Sequence, residues 1–173
     1  MTINKATLND VAELVTLINS AYRSKSSLRG WTSESHLLDG QRIDAGMLTE
    51  QLADPANTIL KYTDDAGQIV ACVYLQLQPG KLYLGMLTVA PDLQARGIGR
   101  ELLQAAEQFA KVANKPIIAM TVITTRHELI SYYERRGYKL TGESHAFPYE
   151  DNRYGVPQRT DLAFLCLEKD LGA

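Results

Sequence analysis

The sequence predicts a mixed α/β domain, and three observations lead to that prediction. Segments with apolar residues at helical spacing alternate with segments of alternating or continuous apolar residues. The 173 residues are 45% apolar and 22% charged, which is typical of a globular protein. That length fits one domain, residues 1–173. The predicted order of elements is β-α-α-β-β-β-α-β-α-β-β, which favours a sheet covered by helices.

The first third of the chain predicts two helices separated by an irregular segment. Asp10 and Glu13 have the spacing of a capping box, and apolar residues at helical spacing continue to about Tyr22. Residues 24–45 are rich in Ser and Gly, which predicts a loop with a short helical turn. A second helix is expected near 45–53, because an Asp-Pro pair follows it.

The middle of the chain predicts four more strands of a sheet and one long helix. Residues 57–77 predict a β-hairpin with its turn at Asp64–Gly67. The run 81–91 predicts the fourth strand in the order above, and helical spacing returns from 98 to 113. The nearly continuous apolar run 116–123 predicts a fifth strand that is covered on both faces.

The last third predicts one more helix and two strands. Thr125 and Glu128 have capping-box spacing, the helix should run to Arg136, and Gly137 suits its C-terminal cap. The run 138–144 predicts a strand, and the run 160–169 predicts the last strand. Between them lies a long polar and aromatic loop, residues 146–159.

Composition excludes several classes of function. The net charge of −2 and the lack of an extended basic patch argue against nucleic-acid binding. No apolar run approaches the roughly 20 residues that span a bilayer, and the N-terminal residues resemble no signal peptide. Cys72 and Cys166 each lie in an apolar strand pattern, so we expect buried thiols. We therefore expect a cytoplasmic protein that binds neither nucleic acid nor a membrane.

The stretch "LQARGIGREL" places Gly97 and Gly99 at the start of the long helix. The first turn of a helix has unpaired N–H groups and the positive end of the dipole, and glycine lets a ligand approach that backbone. An anion site, best suited to phosphates, fits this arrangement, and so does a glycine turn without a ligand. A dinucleotide fingerprint fits poorly because its third glycine would fall at Leu102.

A longer run decides between these alternatives. "LGMLTVAPDLQARGIGRELLQAAEQFA", from Leu84, resembles the acyl-CoA-binding core of the GNAT superfamily of N-acetyltransferases, whose motif is matched at Gln94, Gly97 and Gly99. Residues 128–142 resemble the family's later helix and strand, and the resemblance covers about residues 1–169. It implies a mostly antiparallel sheet, splayed between its fourth and fifth strands, with helices on both faces.

The resemblance also implies an activity and a coenzyme site. The activity is transfer of an acetyl group from acetyl-CoA directly to a primary amine on a small amine, amino acid or peptide. Leu87 and Val89 would hold the pantetheine arm through their main chain. Seven consecutive residues would hold the pyrophosphate: Gln94, Ala95, Arg96, Gly97, Ile98, Gly99 and Arg100.

Tyr133 aligns with the general-acid tyrosine of the family, and a protonated phenol can donate to the departing sulfur. Tyr132 points about 100° away around the helix, so we expect it to pack. Many relatives carry a glutamate base on the strand before the glycine motif, but 81–91 contains no carboxylate. A water chain or an acidic group from elsewhere would have to serve. Arg126 stands where relatives often have asparagine, so we transfer no coenzyme contact to it.

The acceptor is less well defined. Aromatic and acidic residues in the two long loops flank the expected acceptor cleft and suit a cationic amine. They include Trp31, Glu34, Asp39 and Tyr149. Arg42 and Arg153 would instead suit a carboxylate, as on an amino acid. The histidines are too scattered to form a metal site with either cysteine, so we expect no metal.

Two other functions remain open from the sequence. A non-catalytic acyl-CoA-binding sensor is compatible with the missing strand carboxylate, and a nucleotide or flavin binder is disfavoured by the glycine spacing. We expect acetyl-CoA and a small amine-bearing acceptor as the partners, and either a monomer or a homodimer.

Overall fold

The computed structural model describes residues 1–172, except for the side chain of Tyr154. Within that part of the chain the helices are α1 Val11–Tyr22, α2 Ala45–Ala53, α3 Ile98–Val112 and α4 His127–Glu134. The strands are β1 Thr2–Lys5, β2 Leu38–Asp39, β3 Asn57–Thr63, β4 Ile69–Gln78, β5 Lys81–Val89, β6 Ile117–Ile123, β7 Lys139–Ala146, β8 Val156–Pro157 and β9 Ala163–Asp170. Local periodicity therefore predicted each long element to within a few residues.

Seven strands form one sheet in the order β1-β3-β4-β5-β6-β9-β7. Every neighbouring pair is antiparallel except β5 and β6, which are parallel. The mostly antiparallel sheet is therefore confirmed. Because the short β2 is additional, the predicted fourth and fifth strands are β5 and β6. Their ladder joins Lys81–Tyr83 to Ile117–Ala119, whereas the strands continue to Val89 and Ile123.

Helices cover both faces of the sheet, as predicted. The buried faces of α1 and α2 pack with Ile59, Cys72 and Met86 in one apolar core. The buried faces of α3 and α4 pack with apolar residues of β4, β5 and β6 in a second core. Apolar burial on both faces stabilises the sheet and fixes the position of β5, which contributes residues to both cores.

A β-bulge interrupts β5 near its middle. Tyr74 pairs with Gly85 and Cys72 with Thr88, so Val73 alone lies opposite Met86 and Leu87. Met86 has φ of 52°, a left-handed conformation that costs energy in a residue with a side chain. The Thr88 hydroxyl donates to the Met86 carbonyl over 2.9 Å. Bulges change the direction of the residues that they contain, and Leu87 is one of those residues here.

Both predicted capping boxes are wrong. The Asp10 side chain accepts from the Thr7 amide over 2.8 Å, because Thr7 caps a preceding short 3-10 turn. Glu13 instead accepts from the Ile69 amide over 2.8 Å and ties α1 to β4. At α4 the N-cap is Arg126, with no side-chain cap hydrogen bond. The C-terminal prediction is confirmed: Gly137 has φ of +91°, which closes the helix as in a Schellman motif.

The two long loops contain structure that the sequence did not indicate. Residues 24–45 include the expected short helical turn, Lys25–Arg29, and also β2. β2 pairs antiparallel with β8 from the second loop, with Leu38 opposite Pro157. This ladder joins the two loops above one end of the sheet. Both cysteines are buried free thiols, as predicted. None of the helices in the described chain has the length and apolarity to cross a membrane.

Candidate active site

Two cavities meet beside the bulge of β5. One, of about 440 Å³, opens at the start of α3 and is called the helix cavity. The other, of about 430 Å³, lies between β5, β6 and the two long loops and is called the sheet cavity. Four residues line both cavities: Tyr22, Leu87, Leu129 and Tyr133. These residues mark the junction where groups from the two cavities can meet.

The start of α3 forms one wall of the helix cavity. Gly97 is the N-cap, with φ of +86°, a conformation that glycine adopts without strain. A Cβ built on Gly97 would meet only the Arg100 guanidinium, at 3.8 Å, so this turn is not covered by side chains. Six of the seven predicted cradle residues line the cavity: Gln94, Ala95, Gly97, Ile98, Gly99 and Arg100. Arg96 is exposed and lies outside that lining.

The side chain of Gln94 is bound within the protein. Its Oε1 accepts from the Trp31 amide over 2.8 Å. Its Nε2 donates to the Thr32 hydroxyl over 2.9 Å and to the Val89 carbonyl over 3.1 Å. A Cβ on Gly30 would lie 2.5 Å from the Gln94 side chain, so glycine is required for this close approach. Gln94 thus fastens segment 30–32 over the end of β5.

Leu87 and Val89 both line the helix cavity, where β5 passes α3. The Leu87 carbonyl accepts a short hydrogen bond from Tyr22 Oη, and the Val89 carbonyl accepts from Gln94. Burial, helped by the negative charge of Glu34, raises the pKa of Tyr22 to about 12. Tyr22 therefore stays protonated at neutral pH and remains a donor that holds the bulged strand in place.

Tyr133 is buried at the junction, with 5% of its surface exposed. Its ring packs edge-on against Tyr132 at 5.4 Å and against Tyr138 at 5.8 Å between ring centroids. Burial, followed by the neighbouring tyrosines, raises the pKa of Tyr133 well above its usual value. The phenol is therefore protonated at neutral pH and chemically able to donate a proton into either cavity.

Tyr132 packs as expected, and it also lines the helix cavity. The Arg136 guanidinium lies over its ring at 3.5 Å, and the Trp31 ring lies 5.0 Å away. A Cβ on Gly99 would lie 2.8 Å from Tyr132 Oη. The second glycine of the motif therefore provides room for this tyrosine beside the helix start.

The structure separates the four predicted acceptor residues. Glu34 lines the sheet cavity, whereas Trp31 lines the helix cavity. Asp39 is exposed on β2 and accepts from the Gly40 amide over 2.8 Å. The Tyr149 hydroxyl accepts from the Leu162 amide over 2.6 Å and closes its own loop. Asp39 and Tyr149 are outside the lining of both cavities.

Arg126, which the sequence left without a role, is almost completely buried. Its guanidinium donates to the carbonyls of Trp31 and Thr32 over 3.3 Å each and lies 3.8 Å from the Glu34 carboxylate. The other Glu34 oxygen is 3.0 Å from Arg23. Arg126 therefore fixes a segment that reaches from one cavity to the other. No local sequence signal identifies it, because its partners lie more than ninety residues away.

The sheet cavity has polar and aromatic side chains among its apolar lining residues. Tyr83 Oη lies 3.2 Å from Thr121 Oγ1, and this pair joins β5 to β6 across the cavity. Two carboxylates line it, those of Glu34 and Asp151. Hydrogen bonds from Arg153 hold the pKa of Asp151 below its usual value. Both carboxylates are thus paired with arginine.

A comparison with protein families identifies the kind of domain that contains these two cavities. A family model described as an acetyltransferase (GNAT) domain matches residues 33–148, more than half of the chain. The chain belongs to the GNAT family. It is therefore an acyl-CoA-dependent N-acyltransferase, which removes the nucleotide-binder alternative. A comparison with curated proteins found no match.

Solved GNAT structures share the fold. The ribosomal-protein-alanine N-acetyltransferase of Brucella melitensis is 18% identical and has a TM-score of 0.73, with 99% of this chain and 100% of that chain covered. Naa20 of Chaetomium thermophilum, in complex with a bisubstrate analogue, is 19% identical with a TM-score of 0.72, covering 99% and 87%. A putative streptothricin acetyltransferase of Bacillus anthracis, bound to acetyl coenzyme A, is 20% identical with a TM-score of 0.58, covering 71% and 67%. At these identities the likeness establishes the fold alone.

One prediction about metal ligands is wrong. His145 is close to Cys166, because its ring lies with Cys166 and Glu143 in a cluster whose ligand atoms are all within 4.8 Å of one another. The pairing of β7 with β9 brings them together, and no sequence spacing indicates it.

Proposed function

We propose that the protein transfers the acetyl group of acetyl-CoA directly to a primary amine, on a small amine, an amino acid or a peptide. The observation that carries this proposal is the position of Tyr133. Its phenol lies between a cavity built on a glycine-rich helix start and a second cavity lined by apolar, aromatic and polar side chains. A coenzyme in the first cavity and an acceptor in the second would meet beside it.

The helix cavity fits the coenzyme. The start of α3 offers unpaired amides and a positive dipole end to the diphosphate, and Arg100 adds a positive charge at the lining. Gly97 leaves that backbone accessible. Leu87 and Val89 lie along the path from the helix start to the junction and would contact the pantetheine arm.

The reaction needs one bond made and one bond broken. The amine nitrogen attacks the thioester carbonyl carbon, so that a C–N bond forms and the C–S bond breaks. Tyr133 gives its proton to the departing sulfur, and the nitrogen gives up a proton. Tyr133 suits that role because it is protonated at neutral pH.

The proton of the attacking amine leaves by a route that does not involve Tyr133. An amine with a lysine-like pKa near 10.4 costs roughly 4.6 kcal/mol to deprotonate at neutral pH. β5 carries no carboxylate, and Glu34 and Asp151 are paired with arginine. We assign the proton transfer to water in the sheet cavity, next to the Tyr83 and Thr121 hydroxyls.

The test is thiol release from acetyl-CoA in the presence of a panel of amines. The panel contains polyamines, free amino acids, peptides with N-terminal alanine and streptothricin, since the related structures are named for the last two acceptor types. Release that depends on one acceptor class supports the proposal. Saturable acetyl-CoA binding without release for every amine would contradict it and favour an acyl-CoA sensor.

A further inference from the structure

A cluster of three ligand-type side chains lies at the edge of the sheet, outside the lining of both cavities. It consists of Glu143 and His145 on β7 and Cys166 on β9. Their carboxylate, imidazole and thiol atoms all lie within 4.8 Å of one another. None of the three residues lines either cavity, so the acetyl-transfer mechanism does not use them.

Strand pairing produces this cluster. Leu140 pairs with Leu167 and Ser144 with Leu165, so three residues of β7 lie opposite Cys166 alone. Gly142, with φ of +89°, lies within this wide bulge. The bulge brings Glu143 beside Cys166, and the alternation of β7 places His145 on the same face two residues later. Bulges of this kind often re-aim side chains at functional sites.

The three side chains have the chemistry of a site for a thiophilic divalent cation. Thiolate, imidazole and carboxylate are the groups that bind Zn²⁺, usually with tetrahedral geometry. Ligand atoms around a tetrahedral zinc ion lie about 3.3–3.6 Å apart, from bond lengths of about 2.0–2.3 Å. The observed cluster needs to contract by about 1 Å, and Glu143 and His145 are exposed and able to turn inward.

The two exposed side chains, Glu143 and His145, have no competing partner among the residues that the structure describes. In the described part of the chain, the carboxylate of Glu143 and the ring of His145 make no hydrogen bond or ion pair. Cys166 is nearly buried, with 9% of its surface exposed. Ion binding would release the thiol proton to solvent, as it does whenever a cysteine becomes a metal ligand.

We propose that Glu143, His145 and Cys166 form a zinc-binding site on the face of β7 and β9, with a fourth position open to water. The bound ion would join the edge strand to its neighbour. Phe147 lies two residues after His145, and Phe164 is the residue of β9 that pairs with His145. Both phenylalanines line the sheet cavity. The ion would therefore lie at the base of the loop that borders the acceptor.

Cobalt provides the direct test, since Co²⁺ accepts zinc-like geometry and its spectrum reports its ligands. The reduced full-length chain, free of a histidine tag, is titrated with Co²⁺ alone. We expect visible bands of tetrahedral intensity and a near-ultraviolet thiolate-to-cobalt band, both complete at about one equivalent. Zn²⁺ should displace the cobalt, because zinc binds such sites more tightly.

Variants identify the ligands. Cys166→Ser should abolish the thiolate band, and His145→Ala and Glu143→Gln, both at exposed positions, should weaken Co²⁺ binding about tenfold or more. His36→Ala, an exposed histidine in the first loop, is the matched control and should bind like the unmodified chain. Absence of Co²⁺ binding, or a spectrum unchanged in His145→Ala and Cys166→Ser, would overturn the site. These spectra do not depend on acetyl transfer, so the two proposals fail separately.

Discussion

At the scale of single residues, burial keeps the phenol of Tyr133 protonated at neutral pH. A phenol in water already ionises only near pH 10, and removing it from water among other tyrosines raises the pKa further. The residue cannot act as a base at neutral pH, but it can act as an acid. A proton donor between two cavities is what a departing thiolate requires.

Replacing Tyr133 by phenylalanine tests that role. Tyr133→Phe removes the donor and keeps the ring, so kcat should fall about 100-fold or more. Acetyl-CoA affinity, measured by calorimetry, should change little because the ring contacts remain. Full turnover in Tyr133→Phe would contradict the assignment.

Tyr138 provides a matched control with its own expected outcome. Its ring packs against Tyr133, and its hydroxyl is buried without a hydrogen-bond partner in the described structure. A buried unpaired hydroxyl costs free energy, so Tyr138→Phe should raise the free energy of unfolding by about 1 kcal/mol. Acetyl transfer should stay normal. A loss of stability in urea unfolding would show that the hydroxyl has a partner after all.

The residues predicted for the coenzyme lie together along one cavity, whereas the residues predicted for the acceptor are dispersed. Gly97 and Gly99 act through the local backbone, so their spacing carries the information. Trp31 and Glu34 are three residues apart, yet they line different cavities. Their positions depend on Gln94 and Arg126, and contacts this distant leave no periodic pattern.

At the scale of elements, segment 30–34 is fixed by two side chains. Gln94 fastens it to the end of β5, and Arg126 fastens it to the turn between β6 and α4. The segment has few apolar residues of its own, so polar contacts carry its position. The capping box predicted at α1 is wrong for a related reason. The Asp10 carboxylate accepts from the Thr7 amide, and the Glu13 carboxylate accepts from the Ile69 amide of a distant strand.

Arg126→Gln should loosen this segment. The change removes a buried charge from beside Glu34 and weakens the hydrogen bonds to two carbonyls, so the free energy of unfolding should fall by about 2–3 kcal/mol. KM for acetyl-CoA and for the acceptor should both rise, because the segment borders both cavities.

Arg159→Gln is the matched control for that experiment. It breaks an exposed ion pair with Asp161, which should change the free energy of unfolding little because solvent screens it. Urea unfolding and steady-state kinetics of the two variants make the comparison. Equal effects on stability and on KM would show that Arg126 does not fix the segment.

At the scale of the whole molecule, the sheet places two cavities on either side of one buried junction. Periodicity predicted the long helices and strands, since each pattern is local. The strand order, the β5 bulge and the β2–β8 ladder arise from pairing between distant segments. Local sequence does not encode such pairing, which is why the strands β2 and β8 in the loops that border the sheet cavity were not predicted.

The buried tyrosines and the buried cysteine of the junction and core should make the protein less stable at alkaline pH. Burial raises the pKa of Tyr22 and of Cys72 to about 12 each, and raises those of Tyr133 and Tyr138 as well. Above about pH 9–10 the unfolded chain releases these protons first. The unfolded state then binds fewer protons than the native state, so stability must fall as pH rises.

The expected slope is up to about 1.4 kcal/mol per pH unit for each such group. Urea unfolding at about pH 8 and about pH 11 measures this slope. Tyr138→Phe should make the slope smaller by the contribution of one titrating group. A free energy of unfolding that stays constant over this range would contradict the burial of these groups.

The claim that links all three scales is that the start of α3 binds the coenzyme diphosphate. Gly97→Glu places a negative charge there, and Gly67→Glu is its matched control. Gly67 has φ of +83° against +86° for Gly97, with open space around it in the β3–β4 turn. Both variants therefore carry similar backbone strain and the same added charge.

Calorimetric titration of acetyl-CoA into these two variants tests the account most directly. We predict that Gly97→Glu weakens acetyl-CoA binding about 100-fold or more, because its carboxylate repels the diphosphate where it would meet the helix amides. Gly67→Glu should bind acetyl-CoA like the unmodified chain. Equal acetyl-CoA affinity in both variants would contradict the account.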